Sequence, residues 1–563
     1  MPTSERPEAV RGGDADVLIV GYGPVGQVLA NLLAQRGRTV TVLERWPQPY
    51  TMPRAVSFDG ESARVLAAAG LGDFIGDVGE SSRDYTWRNA AGEVLLHIDV
   101  AERGRCGWPD SISMYQPGLE AALAAHGATL PTLTVKRGWT ATELIEDDGH
   151  VTVVAQETGG QTGGESGVEE RVFTARWVVG CDGANSFVRD RVGTSATDYG
   201  FSSDWLICDV APNEAREFRP NNLQVCDPER PSTSVSAGPG HRRWEFMRVP
   251  GESIEELDRP DTAWRLLDTF GIRPDNAVLE RHAVYTFQAR YADEWRSGRM
   301  LLAGDAVHLM PPFAGQGMCS GFRDAANLAW KLDLVLEGRA DERLLDTYTD
   351  ERRTHVQHAI GMSVNLGRII CQTDPAAAAD RDVVMLAAKR RAPAPGDQQS
   401  PLQPLTRGFL HLDERRRPVA PAGLPVPQGR VTHGGREGLF DDVVGRGWFL
   451  LADGDPHALV DDACRAFLDG IGARLLRIVP RSTPATADAA YAADTVVDND
   501  DVYLPFLTAS RTPAVLVRPD FYVYGAVRDP AGGAVLVEGL RRLMPGSVLS
   551  SAPAASSLSP LSP

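Results

Sequence analysis

The chain has few cysteines, and no two of them stand in a metal-binding or redox spacing. Seven cysteines are scattered over 563 residues, and no C-x-x-C pair occurs. An odd and dispersed set of thiols builds neither a disulfide framework nor a zinc site. We therefore expect reduced cysteines, no bound metal and a cytoplasmic location.

Long apolar runs and an excess of basic residues are also missing. No stretch approaches the roughly eighteen consecutive apolar residues of a membrane-spanning helix. Residues 1–15 are polar and lack the apolar core of a secretory signal, which favours an untargeted leader. The 57 basic residues stand against 75 acidic ones, a net charge of −18. This balance argues against nucleic acid or an anionic membrane as a partner.

What is present is typical of a large globular protein. Hydrophobic residues make up 43% of the chain and charged residues 23%, and the length indicates more than one domain. Residues 391–430 contain many prolines and are interpreted as a linker. Residues 431–545 alternate strand and helix patterns, which predicts a separate small α/β unit. The low-complexity tail, 546–563, is predicted to be disordered.

The segment from Asp16 to Arg45 has the pattern of a dinucleotide-binding βαβ unit. An apolar strand is followed by three glycines in G-x-G-x-x-G spacing, which are Gly21, Gly23 and Gly26. An amphipathic helix and a second strand follow, and Glu44 ends that strand. Such glycines permit a tight turn close to a pyrophosphate, while the acid accepts hydrogen bonds from a ribose. Glu44 suits FAD and NAD equally, so this motif leaves the dinucleotide open.

A second glycine-rich stretch runs from Arg299 to Lys331. A short apolar strand leads into Gly304 and Asp305, prolines then exclude helix, and an apolar helical pattern begins near Phe322. Strand, acid, glycine turn and helix start together are typical of a site for an anionic ligand. A tight loop shaped by its glycines is the alternative interpretation.

Asp182 stands at a third position of this kind, beside a glycine at the end of a predicted strand. Ser186 then begins a short helix. Two further polar residues occur near predicted element ends: Arg54 after the second strand, and Gln116 at a helix start. Each is either a ligand contact or an ordinary surface or capping residue.

Residues 200–298 are rich in aromatic and β-type residues. They predict a sheet inserted between two parts of the nucleotide-binding domain, 16–199 and 299–390. Such a sheet would form a wall of a substrate pocket. Its aromatic residues either contact a substrate or simply pack in the core.

Taken together, the three motifs resemble those of class A flavoprotein aromatic hydroxylases, the para-hydroxybenzoate hydroxylase-like group. The run GQGMCSGFRDAANLAWKLDLVLEG is most similar to 3-(3-hydroxyphenyl)propionate and phenol hydroxylases of that group. The resemblance implies an α/β fold, with a Rossmann-like FAD-binding domain and an inserted mixed β-sheet substrate domain. It also implies a C-terminal thioredoxin-like α/β domain, here without C-x-x-C.

The resemblance also implies roles for individual residues. Two of them, His308 and Pro311, are candidate catalytic residues, and Trp244 and Phe313 are candidate substrate contacts. The implied FAD-binding residues are Gly21, Gly23, Gly26, Glu44, Arg45, Arg54, Gln116, Asp182, Gly304, Asp305, Gly315, Gly317 and Met318.

The implied reaction is hydroxylation of a phenolic ring with NAD(P)H and O2 through a flavin C4a-hydroperoxide. The nicotinamide would bind transiently, since a second G-x-G-x-x-G motif is missing. Acids such as 3-(3-hydroxyphenyl)propionate are one expected substrate class, and a homodimer is possible in this group. Alternatives are tailoring of an aromatic polyketide or antibiotic, a reductase of the geranylgeranyl type, or a non-catalytic FAD-binding homologue. The residue that would deprotonate the phenol is not identifiable from sequence.

Overall fold

The computed structural model describes residues 10–158, 169–390, 403–483, 494–542 and 544. The first nine residues of the predicted leader, the start of the predicted linker (391–402) and the predicted tail (546–563) lie outside this range. The chain forms two compact units. The first comprises residues 1–333, 346–408 and 427–429, and the second comprises residues 334–345, 409–426 and 430–563.

In the described part of the first unit, one sheet of eight strands carries the nucleotide-binding pattern. The strand Val10–Val20 is central and pairs in parallel with both Val40–Glu44 and Glu170–Gly180. The other strands are Leu133–Arg137, Trp139–Asp147, His150–Glu157, Arg296–Ser297 and Met300–Leu302. Residues from Val17 to Val20 are buried, because helices and strands cover both faces of a parallel sheet.

A second sheet of eight described strands stands beside the first in the same unit. It is mixed, because Asn222–Cys226 pairs in parallel with Asp84–Asn89 while the other neighbours are antiparallel. The remaining strands are Val94–Asp99, Ala196–Pro212, Ser232–Ser236, Arg242–Met247, Ala277–Ala292 and His308–Leu309. The sheet thus takes two strands from residues 84–99, upstream of the segment predicted for it. A three-stranded sheet is formed by Ser57–Asp59, Gly79–Ser81 and Ser111–Met114.

Helices pack on these sheets and connect them. The described α-helices that begin in the first unit are Pro24–Ala34, Gly60–Leu66, Ile75–Val78, Gln116–Ala128, Phe187–Val192, Ile254–Leu257, Pro260–Asp268, Gly317–Leu336, Asp346–Ile370 and Pro375–Lys389. Two of these helices begin directly after glycine-containing loops, at Pro24 and Gly317. Both loops follow the carboxyl ends of parallel strands, where ligands bind in open α/β sheets.

The second unit is an α/β domain built on a seven-stranded sheet of described residues. Its strands are Arg430–His433, Arg436–Leu439, Phe449–Ala452, Arg474–Pro480, Thr495–Asp498, Ala514–Val517 and Val523–Val527. Its α-helices are Phe440–Val443, Asp462–Gly470, Tyr503–Ala509 and Pro530–Arg541. The predicted α/β architecture, with a mixed sheet and a separate C-terminal α/β domain, is confirmed. Among the described helices of the chain, none has the length and hydropathy that a membrane crossing needs.

Candidate active site

A cavity of about 1480 Å³ lies in the first unit and touches both of its large sheets. The carboxyl ends of the parallel strands form one side of the cavity. The other side is one face of the mixed sheet. Side chains from distant parts of the sequence therefore meet around a single space.

The G-x-G-x-x-G turn has the backbone geometry of a phosphate loop. Gly21 has a φ of +101°, and a Cβ there would lie 2.5 Å from the carbonyl oxygen of Cys181. A Cβ on Gly26 would collide with the Gly21 carbonyl oxygen, whereas a Cβ on Gly23 would meet nothing within 4 Å. Gly21 and Gly23 line the cavity, and Gly26 is buried behind them. The first and third glycines therefore serve close packing, and the second leaves room for a ligand.

Glu44 ends the neighbouring strand at the same edge of the cavity. Its Oε2 atom accepts a hydrogen bond from the Tyr22 amide at 2.7 Å, and its Oε1 atom accepts one from the Trp46 amide at 2.9 Å. Each carboxylate oxygen has capacity for a second hydrogen bond. The carboxylate is thus held in place and still able to accept from ribose hydroxyls. The neighbouring Arg45 also lines the cavity.

Asp182 lines the cavity, but both of its oxygens serve the following helix. Ser186 Oγ donates to Oδ1 at 2.5 Å, and the Val188 amide donates to Oδ2 at 3.1 Å. Burial raises the pKa of the Asp182 carboxyl, and these hydrogen bonds oppose the rise. The acid therefore shapes the strand-to-helix turn at Gly183, whose φ is +80°.

The stretch that begins at Gly304 presents an acid and a helix start to the cavity. Gly304 has a φ of +63°, a conformation that glycine adopts at little cost. Burial raises the pKa of the adjacent Asp305 carboxyl, and the positive charges of His308 and Arg54 partly offset this. Gly315, also at φ +63°, precedes the helix that starts at Gly317.

Gly315, Gly317 and Met318 all line the cavity. The first amides of a helix have no acceptor within that helix, and the helix dipole makes this end positive. The first turn of the Gly317–Leu336 helix can therefore stabilise negative charge on a ligand in the cavity.

Gln116 holds the loop that carries Arg54. Its Oε1 atom accepts hydrogen bonds from the amides of Arg54 and Ala55, both at 2.7 Å, and its Nε2 atom donates to Glu120 at 2.7 Å. The Arg54 guanidinium lies 4.9 Å from the centre of the Tyr50 ring. Gln116 and Arg54 both line the cavity.

A buried ion pair that sequence reasoning missed holds the same loop from the mixed sheet. Arg243 Nε donates to Asp209 Oδ1 at 2.7 Å, and these two residues face each other on paired strands. The Arg243 guanidinium also donates to the carbonyl oxygens of Pro53, at 2.8 Å, and Arg54, at 2.6 Å. Arg281 donates to the Pro53 carbonyl at 2.7 Å. Only the pairing of strands that are far apart in sequence could reveal this group.

Alternation along the strand Arg242–Met247 decides which side chains face the cavity. Arg243 and Glu245 line the cavity, and Trp244 points to the opposite face, because successive strand residues point to opposite sides. Trp244 packs there against Phe218 and Phe270, with ring centroids 5.8 and 6.3 Å away. The structure therefore does not bring Trp244 to the cavity. Other cavity-facing residues of this sheet are Tyr85, Trp87, Ile207, Asn222, Gln224, Thr233, Val235, Tyr285 and Phe287.

Phe313, the other candidate substrate contact, does line the cavity. It follows Pro311 and Pro312 and packs edge to face against Trp205, with ring centroids 5.6 Å apart. The loop before the Gly317 helix thus rests on the mixed sheet.

Neither candidate catalytic residue lies on the cavity lining. His308 is completely buried, and its Nε2 atom lies 2.7 Å from Asp324 Oδ2. Asp324 also accepts hydrogen bonds from Arg352 Nε, at 2.8 Å, and from the Gly304 amide, at 3.1 Å. Pro311 stands beside the lining without forming part of it. His308 lies there because its strand pairs with the edge of the mixed sheet. Its imidazole thereby points to Asp324 in the Gly317–Leu336 helix.

The shape of the cavity fits an extended dinucleotide such as FAD. An open glycine, an acid that can accept from a ribose, a buried acid and a helix start all line one continuous space.

Two family profiles match the chain. One, described as FAD binding domain, matches residues 14–363, more than half of the chain. The other, described as HcaD C-terminal domain, matches residues 423–541. The first range holds the described glycine loop, Glu44, Asp305 and the Gly317 helix start.

Characterised relatives align along most of the chain. A probable NADH-specific resorcinol 4-hydroxylase of Rhodococcus jostii (strain RHA1) is 39% identical over 93% of this chain and 94% of its own length. A 3-(3-hydroxy-phenyl)propionate/3-hydroxycinnamic acid hydroxylase of Mycobacterium avium (strain 104) is 35% identical over 83% of this chain and 81% of its own.

Solved structures share the fold. The flavin-dependent monooxygenase PieE, in complex with FAD and substrate, has a TM-score of 0.76 at 21% identity, covering 95% of this chain and 100% of PieE. A ternary complex of aklavinone-11 hydroxylase with FAD and aklavinone has a TM-score of 0.72 at 24% identity, covering 94% and 99%. The expected family and its FAD cofactor are confirmed by the profile and the relatives. This chain therefore belongs to the FAD-binding class A flavoprotein aromatic hydroxylases and is an aromatic monooxygenase.

Proposed function

We propose that this enzyme uses NADH and O2 to hydroxylate a neutral dihydroxybenzene of the resorcinol type. The observation that carries the proposal is the polar wall of the mixed sheet, where Glu245 stands among amide and hydroxyl side chains of the cavity lining. The relative described as a probable NADH-specific resorcinol 4-hydroxylase of Rhodococcus jostii, similar over nearly its whole length, supports the same substrate class and NADH as the reductant.

Charge on this wall favours a substrate without a carboxylate. Arg243 is the cation nearest to Glu245 on their strand, and it is already paired with Asp209. An ionised acid such as 3-(3-hydroxyphenyl)propionate would bring a second negative charge close to Glu245 in a poorly hydrated space, which is unfavourable. Two hydroxyl groups on one ring instead match the acceptors and donors that line the wall.

In this proposal FAD lies along the residues predicted for it. Gly21, Gly23 and the helix after them would hold the pyrophosphate, and Glu44 would hold the adenosine ribose. Asp305 would accept from the ribityl hydroxyls, and the Gly315–Met318 backbone would hold the pyrimidine end of the ring. Arg45, Arg54, Gln116 and Asp182 shape the walls of the same channel. When bound, FAD supplies the chemistry that activates O2 for transfer to the ring.

The protein side chains then orient the substrate and exclude water. Aromatic residues of the mixed sheet and Phe313 provide an apolar clamp for a benzene ring. Amides at the start of the Gly317 helix would stabilise negative charge on a flavin bound there. His308 is proposed to act indirectly, because its partner Asp324 binds the Gly304 amide and so positions the Asp305 loop.

The test is steady-state NADH oxidation by the purified yellow holoenzyme with resorcinol, 3-(3-hydroxyphenyl)propionate and 1,3-dimethoxybenzene. We expect resorcinol to stimulate oxidation and to yield a trihydroxybenzene detected by mass spectrometry, with NADH preferred over NADPH. The dimethyl ether, which has no phenolic proton, should not be hydroxylated. Efficient turnover of the propionate with none of resorcinol would overturn the proposed substrate class.

A further inference from the structure

Glu245 is a buried carboxylate that faces the cavity, and no residue that the structure describes donates a hydrogen bond to its side chain. Its side chain is 10% exposed, and the exposed part contributes to the cavity lining. Among residues that the structure describes, the nearest cationic atom is Arg243 Nη1, 4.0 Å from Oε1. A buried carboxylate without a donor is costly, so this arrangement suits a donor that arrives with a ligand.

The strand register puts Glu245 between the two loops that border the proposed flavin position. Along its strand it lies between Arg243, which binds the Pro53–Arg54 loop, and Met247, which faces Trp205 on the paired strand. Trp205 in turn packs on Phe313, in the loop that leads to the Gly317 helix. A ring bound between these loops would lie against the face of the sheet that carries Glu245.

Four of the other acids on the cavity lining already have partners. Asp182 caps a helix, and Glu44 binds two backbone amides. Asp59 and Glu61 both accept hydrogen bonds from Arg323. Asp182, Asp59 and Glu61 are thus held by structural partners, and Glu44 lies beside the glycine loop. On the mixed-sheet wall, Glu245 is available to a ligand.

Two other titratable groups on the cavity lining, His355 and Tyr85, are unsuited to accept a phenolic proton. Arg352 donates to His355 Nδ1 at 2.5 Å, so the neutral ring carries its proton on Nε2 and has no free acceptor. Burial lowers the pKa of His355 well below its ordinary value, with further lowering by nearby positive charges. Burial raises the pKa of the Tyr85 hydroxyl, which keeps that group protonated.

We propose that Glu245 is the catalytic base that removes the proton from the phenolic hydroxyl of the substrate, an inference that rests on the proposed function. In this step the substrate O–H bond breaks, a new O–H bond forms on the Glu245 carboxylate, and the electron pair stays on the phenolate oxygen. No electron is transferred. The phenolate makes the ring carbons ortho and para to it more nucleophilic, which is where oxygen is added.

The charged and titratable groups around Glu245 are consistent with a base that works near neutrality. Burial raises the pKa of Glu245 to about 7, Arg243 lowers it and Asp209 raises it. Tyr85, on a neighbouring part of the sheet, and Cys208, on the paired strand, also interact with its charge. A general base is most effective when its pKa lies near the working pH.

The test compares E245Q and E245D with the wild type in holoenzyme preparations of matched flavin content. We expect E245Q to reduce hydroxylation at pH 7 by about a hundredfold or more, with flavin absorbance and reduction by NADH retained. The wild-type rate should rise with pH through about 7. The E245Q rate should instead continue to rise toward the phenol's own pKa of about 10. E245D, which keeps a carboxylate, should retain the rise in rate near neutral pH.

A substrate series separates proton removal from a structural role. Resorcinols with electron-withdrawing substituents ionise more easily, so the ratio of wild-type to E245Q rates should fall as the phenol becomes more acidic. E280Q is the matched control, since Glu280 is exposed on the same sheet and pairs with His241. E280Q should keep the wild-type profile.

Two outcomes would overturn the inference. One is an E245Q enzyme with the wild-type rate and pH profile. The other is loss of the rise in rate near neutral pH in H358Q and not in E245Q. His358 is chosen for this comparison because it also lines the cavity. Failure of the wild type to hydroxylate any phenol would instead reject the proposed function, before any variant is compared.

Discussion

His308 Nε2 lies 2.7 Å from Asp324 Oδ2, and both side chains are completely buried. Asp324 also binds Arg352 and the Gly304 amide. The pKa of the Asp324 carboxyl is lowered, because the charges and hydrogen bonds of His308 and Arg352 outweigh its burial. The ion-pair network thus supports the strand end that presents Asp305, from behind the cavity.

Replacing His308 by glutamine is expected to reduce stability more than chemistry. Breaking a buried pair leaves a partner charge uncompensated, at a cost of about 3–5 kcal/mol. The midpoint temperature of thermal unfolding should fall clearly, while the hydroxylation rate per bound flavin changes less than about tenfold. H150Q is the control, since His150 is half-exposed beside Asp147. Unchanged stability with a hundredfold slower reaction would instead support a catalytic role for His308.

The glycine loop offers a matched pair of substitutions. G26A is expected to destabilise the fold, because its Cβ would collide with the Gly21 carbonyl oxygen. G23A should fold normally, because its Cβ meets no protein atom within 4 Å, but it should bind FAD at least tenfold more weakly, since the methyl group occupies ligand space. Flavin titration and thermal unfolding distinguish the two. Equal flavin affinity in G23A and the wild type would contradict the proposed pyrophosphate position.

Arg243→Lys tests the support of the Arg54 loop. Lysine keeps the positive charge but cannot reproduce the fork that binds Asp209 and two backbone carbonyls together. We expect R243K to oxidise NADH with a lower yield of hydroxylated product, because the loop no longer closes the cavity against water. The ratio of product to NADH consumed measures this. R248K is the control, since Arg248 follows the end of the same strand and pairs with Asp204. A wild-type yield of hydroxylated product in R243K would exclude the supporting role of Arg243.

Glu245 should also leave a signature in the pH dependence of stability. Its pKa is raised from 4.5 to about 7, so the native state prefers the protonated carboxyl. Its stabilising contribution is therefore full below about pH 4.5 and declines as the pH rises to about 7, by on the order of 3 kcal/mol. The difference in melting temperature between E245Q and the wild type should grow in favour of E245Q from about pH 5 to about pH 7 and then level off. A difference that does not vary with pH would show that the carboxyl titrates normally.

Local motifs carried the predictions that succeeded. The glycine spacing and Glu44 lie within thirty residues or so of each other on a single βαβ unit, where backbone geometry and sequence spacing are directly linked. The same holds for the strand, acid and helix start around Asp305, which line the cavity as the motif indicates. These motifs carried the family resemblance, and FAD followed from that resemblance.

The sequence by itself therefore determined the α/β class and, through the family resemblance, the cofactor. Tertiary structure decided which side of each strand of the mixed sheet faces the cavity. Trp244 and Glu245 are neighbours in sequence, yet strand alternation buries the first in the core and turns the second toward the cavity. The tertiary structure also paired Asp209 with Arg243 and His308 with Asp324. These contacts between strands and between strand and helix are not encoded by the spacing of the residues in the sequence. The physical reason is that a shift of one residue in strand register exchanges the two faces, and the register is fixed by packing of the whole unit.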